Sequence, residues 1–158
     1  DHPGTPRLFA DRFHHADGKA KFHPVEHRPA GEEPDAAFPF YLTTGRYKEH
    51  YNSGAQTRLV GPLTAAKPRP RVQLHPRLAS RLGATNGWHL TLETRRGSAV
   101  FVAEVTHDVR PDTLFVPFHW GGKQSANALT NPALDPTSRM PEYKVAAVRV
   151  TRVCPPQE

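Results

Sequence analysis

Cysteine is almost absent from this 158-residue sequence, which contains only Cys154. One thiol cannot form an internal disulfide, a CxxC redox pair, or a zinc or iron–sulfur site built from the chain's own cysteines. Long apolar runs are also missing, since no stretch approaches the roughly 18–20 residues that cross a membrane. Because residues 1–4 lack the pattern of a signal peptide and the first residue is not methionine, we expect a soluble part of a longer protein.

Several motifs of catalysis and metal binding are absent as well. The sequence has no GxSxG elbow, no GxxxxGK[ST] loop, no GxGxxG after a strand and no HExxH. His23 and His27 have the spacing of a helical metal pair, but Pro24 lies between them in a proline-rich stretch. No helix-turn-helix, zinc-finger or aromatic and basic sheet signature indicates nucleic-acid binding.

Positive charge is in excess. The 21 Lys and Arg residues outnumber the 15 Asp and Glu residues, which gives a net charge of +6 with all ten histidines neutral. This balance favours an anionic partner, whether a phosphate group, a nucleic acid or an acidic protein surface. Charge alone does not choose among the three.

The chain divides into a lead-in, one folded domain and a short tail. Residues 1–37 are rich in proline and histidine and have almost no apolar periodicity, which predicts an irregular lead-in that ends in an acidic linker at residues 29–35. Residues 38–153 have the length and apolar pattern of a single domain. Residues 154–158 are predicted to form a tail.

Short segments of alternating apolar and polar residues predict a mainly β domain. Residues 76–82 are the exception, because Pro76 at the first position and Gly83 after the last predict a short helix. His75 precedes this helix, and since histidine is a weak N-cap we expect the helix start to fray. Six short strands and one helix, separated by proline-rich turns and long polar loops, favour a barrel. The strands are predicted at residues 38–43, 72–74, 88–94, 99–105, 114–118 and 144–150.

The first polar cluster follows the first predicted strand. Thr43, Thr44, Gly45 and Arg46 bring two hydroxyls, a flexible backbone position and a guanidinium to one strand end. Glycine permits close backbone approach, and arginine is a forked, permanently charged donor to phosphate or carboxylate. The alternative is an ordinary turn with a solvated arginine.

The second cluster, residues 48–58, consists almost entirely of side chains that donate or accept hydrogen bonds. Several fixed donors and acceptors close to a strand end are what orients a polar, heteroaromatic ligand. The alternative is an ordinary exposed loop.

The third cluster combines aromatic and small residues. Phe118, His119 and Trp120 precede paired glycines, so they could stack a ring and place an imidazole against it. The alternative is that the aromatic rings only close the end of the barrel. A charged turn at residues 135–144 then leaves Lys144 available to an anion.

These clusters, in this order, resemble the C-terminal cofactor-binding domain of the molybdenum oxidoreductases that use a bis-(molybdopterin guanine dinucleotide) cofactor. The resemblance spans residues 38–153, and within it the assimilatory nitrate reductase branch is most similar, with formate dehydrogenases next. The motifs that carry it are Leu-Thr-Thr-Gly-Arg at residues 42–46, residues 50–58, residues 110–122, residues 126–136 and Glu-Tyr-Lys at residues 142–144.

The resemblance implies a fold, a function and partners. The fold would be a six-stranded double-psi β-barrel that binds and orients the molybdopterin guanine dinucleotide in a cytoplasmic molybdenum oxidoreductase, a nitrate reductase by its branch. The partners would be that cofactor and the preceding domains of the same enzyme, which would hold the metal-ligating side chain and the iron–sulfur cluster. The isolated chain is then expected to be inactive, with no membrane or nucleic-acid partner.

The resemblance also implies site residues by position. None is expected to be catalytic or to ligate a metal. Phe118 and His119 would lie toward the substrate funnel. The cofactor-binding residues would be Thr43, Thr44, Gly45, Arg46, Glu49, His50, Ser53, Gly54, Thr57, Arg58, Asn127, Tyr143 and Lys144.

Two alternatives stay open at this point. One is the corresponding domain of a formate dehydrogenase-type enzyme. The other is a free-standing basic β-barrel that binds nucleic acid or protein, for which steep salt dependence of binding would be the signature.

Overall fold

Six strands close into a β-barrel in the computed structural model, which describes residue 4 and residues 6–156. Along β1 and β3 every second side chain is buried, as expected for strands with one face on a core. The strands are β1 (Phe40–Gly45), β2 (Arg71–Leu74), β3 (His89–Thr94), β4 (Gly97–Val105), β5 (Thr113–Pro117) and β6 (Ala146–Cys154).

Neighbouring strands of the barrel are mostly distant in the sequence. Their order is β1, β5, β2, β4, β3, β6, and β6 pairs with β1 to close the ring. β1 is parallel to β5, with Gly45 opposite Pro117, so both strands end at the same rim of the barrel. Because β6 is antiparallel to β1, the residues that precede β6 reach this rim too. We name it the β1 rim.

The predicted mainly β, six-stranded barrel is confirmed. The predicted position of the last strand is wrong at both ends, because β6 begins at Ala146 and continues through Cys154. The limits of the lead-in, domain and tail stay predictions, as does the double-psi crossing. Residues 1–3 and 5 of the lead-in and residues 157 and 158 of the tail lie outside the described residues.

Aliphatic and aromatic side chains fill the barrel interior. Leu90 and Leu92 of β3, Phe101 of β4 and Leu114 of β5 are completely buried there. Burial of each such side chain stabilises the fold by about 1.5–3 kcal/mol. Since the interior is a packed core, a ligand must bind at a rim or on the outer surface.

Two short α-helices lie between β1 and β3. α1 (Gly61–Ala66) was not predicted, whereas α2 (Pro76–Leu82) has the predicted bounds. Gly83 follows α2 in the left-handed conformation, with φ of 66°, as a C-cap glycine should. The expected fraying at the start is wrong, because Nδ1 of His75 accepts the backbone N–H of Arg77 at 3.1 Å. The ring therefore replaces the usual Asn, Asp or Ser cap.

Loss of this cap is expected to weaken the fold slightly. His75→Ala leaves the Arg77 N–H without its side-chain acceptor, and we expect the free energy of unfolding to fall by about 1 kcal/mol at neutral pH. Urea denaturation measures the change. His75→Asn, which restores a strong N-cap, should unfold like the parent chain; equal losses in both variants would contradict a capping role.

The end of the lead-in is attached to the barrel by its acidic residues. We name residues 31–38 the acidic strap. Glu32, whose side chain is 13% exposed, forms ion pairs with Arg95 and Arg96 of the turn between β3 and β4. Its Oε1 also accepts the backbone N–H of Ala147 in β6 at 2.6 Å. Arg96 in turn donates to the carbonyl of Leu129 at 2.8 Å, so one carboxylate joins the strap to three parts of the domain.

Phe38 completes the attachment of the strap. The guanidinium carbons of Arg95 and Arg149 lie 4.6 and 5.0 Å from the centre of its ring, within cation–π distance. Further along the chain, the carboxylate of Glu142 accepts the N–H of Gly31. The acidic strap is thus held at both of its ends.

Earlier parts of the lead-in have no helix or strand among the described residues. Leu8, Phe22 and Val25 are largely exposed, and the rings of Phe9 and Phe13 stack on each other at 5.1 Å. In the part of the chain that the structure describes, no helix has the length and apolar character needed to cross a membrane.

Candidate functional site

An open cavity of about 670 Å³ lies at the β1 rim. Three polypeptide segments meet there: the end of β1, the segment after β5 and the turn before β6. The lining residues are Thr44, Arg46, Phe118, Asn127, Tyr143 and Lys144. Each of them belongs to the set implied by the sequence resemblance.

Strand pairing explains why these residues converge. Arg46 and Phe118 directly follow the parallel strands β1 and β5, and the N–H of Phe118 donates to the carbonyl of Gly45 at 3.2 Å. Lys144 precedes β6, which runs antiparallel to β1 and therefore starts beside the end of β1. Asn127 reaches the cavity from a single 3₁₀ turn in the long loop between β5 and β6.

Two cations lie close to one aromatic ring in the cavity. The guanidinium of Arg46 lies 5.6 Å from the ring centre of Phe118, and Nζ of Lys144 lies 5.8 Å from the same point. Lys144 Nζ donates to the carbonyl of Thr44 at 2.7 Å, which fixes its position. No ion pair among the described residues includes either cation, so both retain donors for an anion.

Thr43 and Thr44 point to different sides of β1. Thr44 is 5% exposed and faces the barrel axis, where its hydroxyl donates to the carbonyl of Tyr143 at 3.2 Å. Thr43 faces outward into a separate cavity beside the lead-in. The alternation of side chains along a strand separates the two hydroxyls that the sequence placed together.

Gly45 has a neighbour that the sequence did not indicate. A Cβ built on Gly45 would lie 2.3 Å from Cε2 and 2.9 Å from Cζ of Phe115 in the paired strand β5. The missing side chain therefore makes room for the ring of Phe115. Gly45 shapes the end of β1 from outside the cavity.

A second group of predicted residues lies away from the cavity, in a tightly bonded loop. We name residues 46–58 the polar loop. Arg58 donates through Nη1 to the carbonyl of Ser53 at 2.8 Å and also to the carbonyl of His119. Gly54 has φ of 73°, and a Cβ there would lie 2.7 Å from Nη1 of Arg58. Arg58 and Gly54 thus fasten the polar loop to the segment after β5.

His50 is buried within this loop, with 4% of its surface exposed. Its Nε2 lies 2.8 Å from the carbonyl of Lys67, which only accepts, so Nε2 carries a proton. Its Nδ1 lies 3.1 Å from Oγ1 of Thr57. Both ring nitrogens are therefore bonded to protein atoms in this conformation.

His119 is 1% exposed and lies beside His50 at a centroid distance of 5.6 Å, outside the lining of the cavity. Its Nε2 accepts the backbone N–H of Tyr47 at 2.8 Å, and its Nδ1 donates to the carbonyl of Asn52 at 2.6 Å. Burial lowers the pKa of His119 below its ordinary value of 6.5, and His50, Arg46 and Arg58 lower it further, against the opposing effect of the Asn52 carbonyl.

The remaining predicted residues occupy separate places. Glu49 is half-buried in the polar loop and outside the cavity lining, and Ser53 is exposed on the far part of the loop. Assignment of every predicted cofactor-binding residue to a ligand, whether it lines the cavity or lies outside it, stays a prediction. Assignment of Phe118 and His119 to a substrate funnel stays a prediction as well.

Tyr47 is an important residue that the sequence analysis overlooked. It is a buried residue at the start of the polar loop. Its hydroxyl exchanges hydrogen bonds with the backbone of Arg71, and Lys67 Nζ lies 4.8 Å from the centre of its ring. Burial raises the pKa of Tyr47 to about 12, so the phenol is neutral at physiological pH. As an aromatic residue before a polar stretch, Tyr47 offered a signal for an anchor.

The cavity residues suit an anionic, partly aromatic ligand. Arginine and lysine supply charge, Asn127 supplies an amide, and the rings of Phe118 and Tyr143 supply apolar contact. Among residue 4 and residues 6–156, no three His, Cys, Asp or Glu side chains converge as a metal site would require. The charged groups and the rings are therefore the features of this cavity that are available to a ligand.

A closed barrel with such a rim defines a domain that binds an anionic ligand. Residues 40–147 match the family model described as Molydopterin dinucleotide binding domain, and the chain belongs to this family.

Three curated relatives show the same family in longer proteins. The assimilatory nitrate reductase catalytic subunit of Bacillus subtilis (strain 168) is 40% identical over 95% of this chain and 21% of its own length. The F420-dependent formate dehydrogenase subunit alpha of Methanocaldococcus jannaschii is 38% identical over 97% of this chain and 23% of its own length. The periplasmic nitrate reductase of Desulfovibrio desulfuricans is 36% identical over 96% of this chain and 22% of its own length. The chain thus spans about a fifth of these relatives.

A solved structure shares the fold. Acetylene hydratase from Pelobacter acetylenicus superposes with a TM-score of 0.62 over 76% of this chain and 19% of that chain, at 19% sequence identity.

Proposed function

We propose that the chain is the domain of a molybdenum oxidoreductase that binds and orients molybdopterin guanine dinucleotide at the β1 rim. The observation that carries the proposal is the pair of cations, Arg46 and Lys144, that both lie within 6 Å of the ring centre of Phe118. A dinucleotide has a pyrophosphate and flat ring systems, which these groups complement. The bound group supplies the redox chemistry, and this chain supplies binding, orientation and charge compensation.

The structure of the cavity favours particular roles for its residues. Arg46 is suited to a forked contact with a phosphate, and Lys144 to a point contact held in place by the Thr44 carbonyl. Asn127 is exposed and able to hydrogen-bond a heterocycle. Since the redox chemistry comes from the bound group and not from these side chains, we expect the isolated chain to have no oxidoreductase activity.

Titration of the chain with guanosine diphosphate tests this proposal. Isothermal calorimetry and amide NMR should show binding, with shifts at residues 44–46, 127 and 143–144. Arg46→Ala and Lys144→Met should each weaken the affinity about tenfold, because each removes one charge-assisted contact. Arg77→Ala is the control, since α2 follows β2 and lies at the opposite end of the barrel.

Two results would contradict the proposal. One is binding that Arg46→Ala and Lys144→Met leave unchanged. The other is binding of single-stranded DNA with steep salt dependence, weakened equally by Arg77→Ala, which would favour a general basic surface.

For the longer protein we propose nitrate reduction in the cytoplasm, with preceding domains that hold the metal-ligating side chain and an iron–sulfur cluster. Support comes from the 40% identity to the assimilatory nitrate reductase subunit. The 38% identity to a formate dehydrogenase subunit favours formate oxidation as the second candidate. Assays of the cofactor-loaded longer protein, with nitrate and reduced viologen against formate and oxidised viologen, decide between them.

A further inference from the structure

The buried imidazole of His119 connects two segments that both contribute to the β1 rim. On one side it contacts the polar loop through Tyr47 and Asn52, and on the other it is covalently next to Phe118 in the cavity lining. No backbone ladder joins these segments beyond Gly45 and Phe118 among the described contacts. The position of the polar loop therefore depends on side-chain bonds, and those of His119 are the most buried.

The two bonds of His119 fix its protonation state. The Asn52 carbonyl only accepts, so Nδ1 must carry a proton, and the Tyr47 N–H only donates, so Nε2 must be bare. A second proton on Nε2 would point at the Tyr47 N–H. The ring can accept this proton only if the bond to Tyr47 breaks.

His50 differs from its neighbour in this respect. Its Nε2 donates to the Lys67 carbonyl, and its Nδ1 faces a threonine hydroxyl, which can donate or accept. Protonation of His50 would leave both contacts in place after rotation of the Thr57 hydroxyl. The contacts of His50 are thus compatible with either protonation state of its ring, whereas those of the adjacent His119 are not.

Among the groups that shift the pKa of His119 most, only the Asn52 carbonyl favours a positive charge. His50, Trp120, Tyr47 and Phe118 pack against its ring with centroids 5.0 to 6.2 Å away. The phenol of Tyr47 is neutral, and Lys67 lies over its ring. Arg46 and Arg58 add positive charge, and the interactions that shift His119 include no carboxylate. Glu49, on the same loop, forms no ion pair among the described residues.

From this geometry we propose that His119 is a positioning residue that locks the Tyr47–Asn52 part of the polar loop to the segment after β5 only while its imidazole is neutral, and that acidification releases this part. The bonds of Arg58 to the carbonyls of Ser53 and His119 remain and keep the far part of the loop in place. Release of a bound nucleotide by this movement rests on the proposed function. The attachment of the loop by His119 does not, because it is a property of the chain without ligand. Released, the polar loop frees Arg46 from its place in the cavity, because Arg46 directly precedes Tyr47.

The direction of the pH effect follows from linkage. The folded form of His119 binds a proton less readily than the unfolded chain, whose histidines titrate near 6.5. The closed loop is thus fully stabilised above that pH and loses stability as the pH falls below it. Between pH 7 and pH 5 we expect the protection of the Tyr47 amide against hydrogen exchange to fall about tenfold, after correction for intrinsic exchange rates.

The experiment follows the histidine and the loop separately in the 158-residue chain. Long-range ¹H–¹⁵N NMR of the imidazoles should show His119 as the Nδ1–H tautomer at pH 7, with its titration coinciding with loss of Tyr47 protection. In His119→Gln, which offers an amide oxygen to Tyr47 and does not titrate, protection should be independent of pH. His107→Gln, at the other end of the barrel, is the control and should retain the full acid effect.

Each outcome decides the proposal. An Nε2–H tautomer of His119 at pH 7 would overturn it, and so would protection of the Tyr47 amide that stays constant while His119 titrates. Both measurements use the unmodified chain, so they remain decisive if His119→Gln does not fold. The last measurement is the binding of guanosine diphosphate to the chain at pH 7 and at pH 5. Absence of nucleotide binding at both values would contradict the proposed function alone, whereas binding that weakens at pH 5 in step with loop release supports both.

Discussion

Glu32→Ala is expected to lower the free energy of unfolding by about 3 kcal/mol. The change leaves the Ala147 N–H, which is completely buried in β6, without its acceptor, at a cost of about 1–3 kcal/mol. It also removes the carboxylate that pairs with Arg96 in a largely desolvated position. Because Glu32 holds the acidic strap against the turn between β3 and β4, both losses occur together.

Urea denaturation of the parent chain and three variants measures this effect. Glu32→Gln keeps an oxygen for the Ala147 N–H and loses only the charge, so a smaller loss, of about 1 kcal/mol, is expected. Glu26→Ala, an exposed lead-in position with the same change in net charge, should remain within about 0.5 kcal/mol of the parent. If Glu32→Ala matched Glu26→Ala, the strap would not be a stabilising part of the domain.

Gly45→Ala should destabilise the barrel by about 2 kcal/mol, although it adds a single methyl group. That methyl would lie 2.3 Å from the ring of half-buried Phe115, so the ring or the end of β1 must move. The end of β1 would then shift relative to β5, and the bond from the Phe118 N–H to the Gly45 carbonyl would weaken. We therefore also expect weaker binding of guanosine diphosphate.

A double-mutant cycle isolates the cause. Phe115→Leu should relieve the contact with the added methyl group. The double variant Gly45→Ala/Phe115→Leu should therefore lose clearly less free energy of unfolding than the two single variants lose in sum. Gly121→Ala is the matched control, because Gly121 has φ of −105° and open space where its Cβ would lie. Additive losses would mean that the strain at Gly45 arises elsewhere.

The sequence predicted well those features that depend on local pattern. Alternation along residues 88–94 and 99–105 was sufficient for the β3 and β4 hairpin, and Pro76 with Gly83 was sufficient for α2. The ordered polar clusters also indicated the cavity, since Thr44, Arg46, Asn127 and Lys144 do meet there. The order of the motifs could indicate a common cavity because the strand ends that carry these motifs lie at one rim of the barrel.

Features that depend on register or on distant pairing were beyond the sequence. Glu32 and Arg96 are 64 positions apart, and nothing local marks which arginine of a basic chain pairs with which carboxylate. Gly45 suggested close approach of a ligand, but its partner is a phenylalanine that is recognisable only once β1 and β5 are aligned. His119 likewise looked like a cavity residue until its two backbone partners were known.

The closure of the barrel by β6 has a consequence for biosynthesis. Contact between β6 and β1 joins residues more than 100 positions apart, a topology of high contact order that folds slowly. During translation β1 and β3 each present an unpaired edge until the last strand leaves the ribosome. Premature termination before Ala146 would leave both edges open permanently, which makes such a product a substrate for chaperones and proteases and prone to aggregate.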